Sequence, residues 1–226
     1  MLAAQISRFG GSEVLELNEV DRPTPNAGEV VVAIEAASVN GHDTILRSGG
    51  MKFVSGRRFP IGLGLDFVGA VTEVGAGSSR FTVGERVWGT VHPQKRHVVG
   101  SAAEYVAVTE DRLGAAPSGL PAPDAAALVV AGATALIALQ DALAIRSGQR
   151  LLIRGAAGGV GSAAVQIAHA RGAHVTALAG ARSGDSLRAL GADLVLDRRT
   201  TGPGPVGPFD AVLDLVGSQL PAGVGA

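Results

Sequence analysis

Two textures of apolar and polar positions divide this chain. In the first half, the runs Val30-Val31-Val32-Ala33-Ile34-Glu35-Ala36-Ala37 and Phe67-Val68-Gly69-Ala70-Val71-Thr72-Glu73-Val74 are rich in β-branched residues and punctuated by Gly and Pro. They predict strands, and no long helical period interrupts them. From Pro121 onward, alanine-rich helical stretches alternate with short apolar runs at 150–153, 174–178, 194–196 and 211–215. That alternation predicts a parallel, doubly wound α/β sheet. Pro117-Ser118-Gly119-Leu120-Pro121-Ala122-Pro123 is the natural joint, which sets a mostly β domain over 1–120 against an α/β domain over 121–226. The Gly/Pro segment 203–208 disfavours helix and predicts a loop.

Between the first two strands of the second half lies Ala156-Ala157-Gly158-Gly159-Val160-Gly161. It follows Leu151-Leu152-Ile153 and opens a helical segment over 162–171, with Gly172 placed as its C-cap and a second strand after it. In a chain with 33 glycines, a glycine turn alone is weak evidence. The surrounding strand, turn, helix and strand form the βαβ unit in which such a turn closes backbone N–H groups and a helix N-terminus on a pyrophosphate. Ala156, Gly158, Gly159, Val160 and Gly161 are therefore the candidate cofactor-binding residues, with alanine where the first glycine of the usual pattern stands.

Composition narrows the possibilities further. With 46% hydrophobic and 17% charged residues over 226 positions, the chain can form a substantial core, and a net charge of −1 supplies no footprint for nucleic acid. Cysteine is absent, which removes disulfides, thiolate nucleophiles and thiolate metal ligands. The N-terminus lacks the basic and apolar regions of a signal peptide, so a cytoplasmic protein is expected. The mainly apolar run 125–139, bounded by Asp124 and Gln140, falls short of a bilayer span and predicts a buried helix; no membrane partner is expected.

Arg8-Phe9-Gly10-Gly11, Glu13-Val14-Leu15, Asn40-Gly41-His42-Asp43, Gly64-Leu65-Asp66-Phe67-Val68-Gly69, Val83-Gly84-Glu85-Arg86-Val87, Ala103-Glu104-Tyr105-Val106 and Ala133-Thr134-Ala135 precede the glycine turn in that order. Together they resemble the zinc-independent, quinone-oxidoreductase-like branch of the medium-chain dehydrogenase/reductase superfamily. The resemblance covers nearly the whole chain. It implies a GroES-like β domain followed by a Rossmann domain, and Asn40 and Asp43 in the catalytic cleft, with the Thr134 hydroxyl near the nicotinamide. Asp43 is also suited to capping a helix, and Thr134 to ordinary burial. Homodimers are usual in the family.

In alignment with zinc-containing relatives, Asn40 takes the place of the ligand cysteine, Leu65 that of the histidine, and Asp66 that of the neighbouring glutamate. One carboxylate does not hold a metal, and the five histidines show no ligand spacing. No metal site is expected. Hydride transfer then relies on positioning and hydrogen-bond donors, each worth about 3 kcal/mol, so the substrate should already be electrophilic: an activated carbonyl, an enone or a quinone. The family's quinone reductases often carry tyrosine two residues after the aspartate, where this chain has Ile45. After the second strand of the α/β half, Ala179-Gly180-Ala181-Arg182-Ser183 offers no carboxylate to a ribose 2′-hydroxyl. Arg182 and Ser183 instead suit a 2′-phosphate, which predicts NADP. With the fourth Rossmann strand at 209–214 and the chain ending soon after, the sheet is expected to be incomplete. The alternative expectation is thus a truncated nucleotide-binding or interaction module with little or no turnover.

Overall fold

The β-branched runs form strands where their pattern predicts. The computed structural model describes residues 1–55, 58–91, 99–200 and 206–217. It divides into two units, Met1–Val130 and Ala131–Ala226.

The first unit contains β1 (Leu2–Ile6), β2 (Leu15–Glu19), β3 (Glu29–Ala37), α1 (Gly41–Arg47), α2 (Lys52–Ser55), β4 (Ile61–Gly62), β5 (Asp66–Val74), β6 (Arg86–Thr90), β7 (Tyr105–Thr109) and β8 (Leu113–Ala115). They form two antiparallel sheets, ordered β2-β1-β4 and β7-β3-β5-β6-β8. Val30 and Val32 of β3 pack with Phe67, Val71, Val87, Val106 and Val108 in one buried cluster. Each fully buried Val or Phe side chain contributes roughly 1.5–3 kcal/mol. The β3 and β5 backbones approach so closely that a Cβ on Gly69 would lie 2.0 Å from the Ala33 carbonyl oxygen, so only glycine fits there. Register shifts at Val31/Val32 and Ile34/Ala36 mark irregularities in the same pairing.

Helix α3 (Ala122–Ile137) follows the Pro-rich segment and continues as a π-helical turn over Ala138–Ala142. The division between units falls within α3, between Val130 and Ala131, beyond the joint expected at 117–123. The reason lies in packing: Ala125 and Ala126 are buried against Val68 of the first unit, whereas Ala135 and Leu139 join the core of the second. The helical run Ala122–Ala142 is 21 residues long, and its most apolar 18-residue window has a mean hydropathy of 1.8. By length and composition alone the helix is long enough to cross a membrane, while the apolar run 125–139 within it stays bounded by Asp124 and Gln140. The π turn carries the helix past Gln140.

The second unit is built from β9 (Arg150–Arg154), α4 (Gly159–Ala170), β10 (His174–Ala179), α5 (Gly184–Ala189), β11 (Leu194–Asp197) and β12 (Ala211–Asp214). All four strands are parallel, in the order β11-β10-β9-β12. Strand alternation separates two buried layers. Leu151, Ile153, Val175 and Ala177 pack with Ala164, Val165 and Ala168 of α4, while Leu152, Leu178 and Leu196 pack with Phe209 and Val212. Both faces of the sheet are therefore covered, which explains why its strands read as continuous apolar runs. Gly172 ends α4 with φ at +76°, in the C-cap role its position predicts. Part of the expected loop 203–208 lies outside the described residues; Gly207 and Pro208 belong to no helix.

Candidate functional site

In the first unit, the chain leaves β3 at Ala37 and enters α1 through Asn40. The Asn40 backbone N–H donates to Asp43 Oδ2 at 2.8 Å, three residues into the helix start. Asp43 is buried and is the reciprocal member of a capping box whose N-cap is Asn40. Asn40 itself is half-buried. Its Nδ2 donates to Asp66 Oδ1 at 3.1 Å and lies 3.2 Å from Ser38 Oγ, while that hydroxyl donates to the same carboxylate oxygen at 2.7 Å. The other oxygen of Asp66 accepts the Val130 N–H at 3.3 Å. Asp66 is completely buried, so these neutral donors replace the water it lost. Sequence spacing brought Asn40 and Asp43 together, but the partnership with Ser38 and Asp66 depends on β3 and β5 pairing side by side. Asp66 at a strand start after a glycine was the available signal; its partner was not.

In the second unit, β9 ends at Arg154 and the chain turns through Gly155, whose φ is +78°. Gly158 is the N-cap of α4. A Cβ on Gly158 would meet only the Gly155 carbonyl oxygen, at 3.4 Å, and one on Gly159 only Ala131, at 3.6 Å. At Gly161 it would lie 2.3 Å from that same carbonyl oxygen. The three glycines thus have separate jobs. Gly161 lets the helix close on the turn, while Gly158 and Gly159 leave an open surface at the start of α4, where helix N–H groups lack intrahelical partners. Ala156 is buried and Val160 packs against the second unit's core, so their side chains support the turn from behind. An open, glycine-lined helix N-terminus fits a pyrophosphate.

Thr134 is exposed on α3. It stands three residues beyond Ala131, the neighbour of Gly159, and so shares a helix face with it. Arg182 is exposed and Ser183 half-buried, in a 3-10 turn after β10. The sequence reading missed Arg198. Its backbone N–H donates to the Ala179 carbonyl at 2.9 Å, which ties a second exposed arginine to the end of β10. It also missed the ion pair between Arg154 and Asp214, 2.6 Å apart with side chains 8% and 23% exposed. This pair joins β9 to β12 where the strand order reverses, beside the glycine turn. Among the described residues, no three His, Cys, Asp or Glu side chains gather as metal ligands do.

A parallel sheet carrying a glycine turn at the end of its central strand, in a chain that begins with an antiparallel β unit, defines a two-part dehydrogenase-type architecture. Residues 26–118 match the alcohol dehydrogenase GroES-like domain family. The chain is 38% identical over 207 residues to a chloroplast envelope quinone oxidoreductase homolog of Arabidopsis thaliana, covering 88% of this chain and 62% of that protein. It is 35% identical over 243 residues to a mitochondrial NAD(P)H oxidoreductase of Homo sapiens, covering 97% of this chain and 60% of that protein. Among solved structures, the quinone oxidoreductase of Coxiella burnetii superposes with a TM-score of 0.88 at 33% identity, covering 96% of this chain and 69% of that one. The chain belongs to the quinone-oxidoreductase-like branch of the medium-chain dehydrogenase/reductase superfamily. It spans about three fifths of the length of the two curated relatives.

The expected cytoplasmic location is overturned by the same comparisons. Both curated relatives are, by name, organelle proteins, one of the chloroplast envelope and one mitochondrial. The first residues of the sequence therefore set no cytoplasmic default.

Proposed function

We propose that this chain takes NADPH on the 155–161 turn and reduces an activated carbonyl, enone or quinone without a metal. The observation that carries the reading is the open surface at Gly158 and Gly159 beside a tightly closed Gly161. Two exposed glycines at a helix start give a phosphate access to the backbone N–H groups with no side chain in the way. The names of the relatives, a quinone oxidoreductase homolog and an NAD(P)H oxidoreductase, support a nicotinamide cofactor and a reductase.

NADPH, when bound, would supply a hydride, that is two electrons with one proton, and solvent would supply the second proton that completes the reduction. The chain's own residues bind, orient and polarise. N–H groups at the start of α4 hold the pyrophosphate, and Arg182 with Ser183 receives the 2′-phosphate as charge-assisted hydrogen-bond partners. Asn40 offers an amide N–H to the acceptor oxygen as it gains charge, and the Thr134 hydroxyl addresses the nicotinamide. Asp43 holds the Asn40 backbone. Cysteine is absent, so thiolate ligation of a Lewis acid is not open to this chain. The acceptor must then bring its own electrophilicity.

A fluorescence titration tests the cofactor half of this reading, with NADPH expected to bind more tightly than NADH. Arg182→Ala should weaken NADPH about ten- to a hundredfold and leave NADH unchanged. Equal affinities in the unmodified chain would refute the preference. NADPH consumption with a quinone and an enone tests the other half, and binding without turnover of either acceptor would reduce the chain to a dinucleotide-binding protein.

A further inference from the structure

We infer that Asp66 is a positioning residue. It holds one N–H of the Asn40 amide inside the protein and thereby aims the other outward, toward the acceptor oxygen. The inference rests on the reading of Asn40 as a donor and assigns the group that makes it one.

The geometry begins with the acceptor. A buried carboxylate receiving the Ser38 hydroxyl at 2.7 Å is lined with donors, so Asn40 must face it with nitrogen and not with its carbonyl oxygen. Ser38 Oγ, Asp66 Oδ1 and Asn40 Nδ2 form a triangle of 2.7, 3.1 and 3.2 Å. By the cosine rule on those distances, the two oxygens subtend about 51° at the nitrogen, whereas the two hydrogens of a planar amide diverge by about 120°. Both hydrogens cannot point into the triangle. One is shared between the two oxygens, and the second is directed away from them, with no partner among the described residues. Asn40 is half-buried, so that second donor has a way out.

The rigidity comes from the rest of the constellation. Asp66 cannot rotate, because its other oxygen accepts the Val130 N–H at 3.3 Å and its backbone opens β5, paired to β6 through Thr90. The Asn40 backbone is fixed independently by Asp43. A side chain held at both ends needs no reorganisation when charge develops on a substrate, and a misplacement of about 1 Å can cost on the order of a hundredfold in rate. The role of Asp66 is geometric. A residue that keeps an acceptor oxygen at that point should therefore replace it.

The test uses the full chain with ¹⁵N labelling and the NADPH-dependent reduction of an enone. In Asp66→Leu the two Asn40 side-chain amide proton signals, identified by their loss in Asn40→Ala, should move together, and kcat should fall about thirtyfold to a hundredfold with the KM for NADPH unchanged. Asp66→Asn should keep kcat within about tenfold, because its amide oxygen still accepts from Ser38 and Asn40. Adding Asp66→Leu to Asn40→Ala should lower kcat no further, since Asp66 acts through that amide. Ser38→Ala removes only one corner of the triangle and should shift the same signals if Asp66→Leu fails to fold. Unmoved Asn40 signals in both variants, or multiplicative losses in the double variant, would overturn the inference. An unmodified chain that reduces no acceptor would instead defeat the proposed function, with the amide signals still deciding whether Asp66 holds Asn40.

Discussion

The two units each hold a carboxylate near a strand end, and they hold it by opposite means. Asp66 at the start of β5 is fully buried among neutral donors, Ser38, Asn40 and the Val130 N–H. Asp214 at the end of β12 is partly exposed and pairs with the buried guanidinium of Arg154. A carboxylate satisfied by neutral groups organises those groups, so its influence extends to a side chain that can act on a ligand. A carboxylate satisfied by a cation directs its attraction at one partner, and here the result is a pin between two neighbouring parallel strands. One arrangement sets how neighbouring side chains are oriented. The other fixes the strand ends beside the glycine turn.

The largest effect should come from breaking the pin. Arg154→Leu leaves Asp214 without its cation and should cost about 3 kcal/mol in urea denaturation, the lower end for a buried pair because Asp214 keeps 23% exposure. The double change Arg154→Leu with Asp214→Leu should recover most of that loss, since packed apolar side chains can replace such a pair. If the double variant were as unstable as the single one, charge pairing would not be what Arg154 contributes.

Next in size is a contrast within the turn beside that pin. Gly161→Ala places a Cβ 2.3 Å from the Gly155 carbonyl oxygen and should destabilise the fold by about 1–3 kcal/mol through backbone displacement. Gly158→Ala, with only a 3.4 Å neighbour, should leave the denaturation midpoint nearly unchanged while weakening NADPH about tenfold or more. Equal stabilities for the two variants would show that the separate roles assigned to the glycines are wrong.

Asp66→Asn should cost about 1 kcal/mol, less than Arg154→Leu, because it removes a charge but keeps an acceptor for two of the three donors. Thermal or urea unfolding of the two single variants side by side decides the order. A loss at Asp66 exceeding that at Arg154 would reverse the comparison between the units.

The smallest effect belongs to a third carboxylate, on the surface. Glu13 is fully exposed and its carboxyl is held below the ordinary value by backbone N–H bonds, its own first and then that of Gly11 at 2.9 Å, with Arg8 and Arg47 adding attraction. A carboxyl lowered in the folded state stabilises above its unfolded value, and that contribution disappears as pH falls through the folded one. Glu13→Gln should therefore flatten slightly the acid side of the stability profile as pH falls below the ordinary glutamate value, and leave stability at neutral pH little changed in slope. An unaltered acid limb in matched urea titrations would show that these bonds do not persist in solution.

Much of the second unit was legible in the sequence, because its determinants are local or periodic. The runs at 150–153 and 174–178 became β9 and β10, the turn between them opens α4, and Gly172 closes it, since burial on both faces demands apolar runs and a left-handed turn demands glycine. The lengths of strands β3 and β5 were equally plain from their β-branched residues. The sequence by itself also determined the missing thiol chemistry and the family's ordered motifs. What only tertiary structure decided was which polar groups meet. Ser38 and Asp66 are separated by 28 positions, and Arg154 and Asp214 by 60; neither distance carries a periodic signal. Their pairing follows from strand order and register, which place distant residues side by side, and a buried polar group takes whatever partner that order supplies.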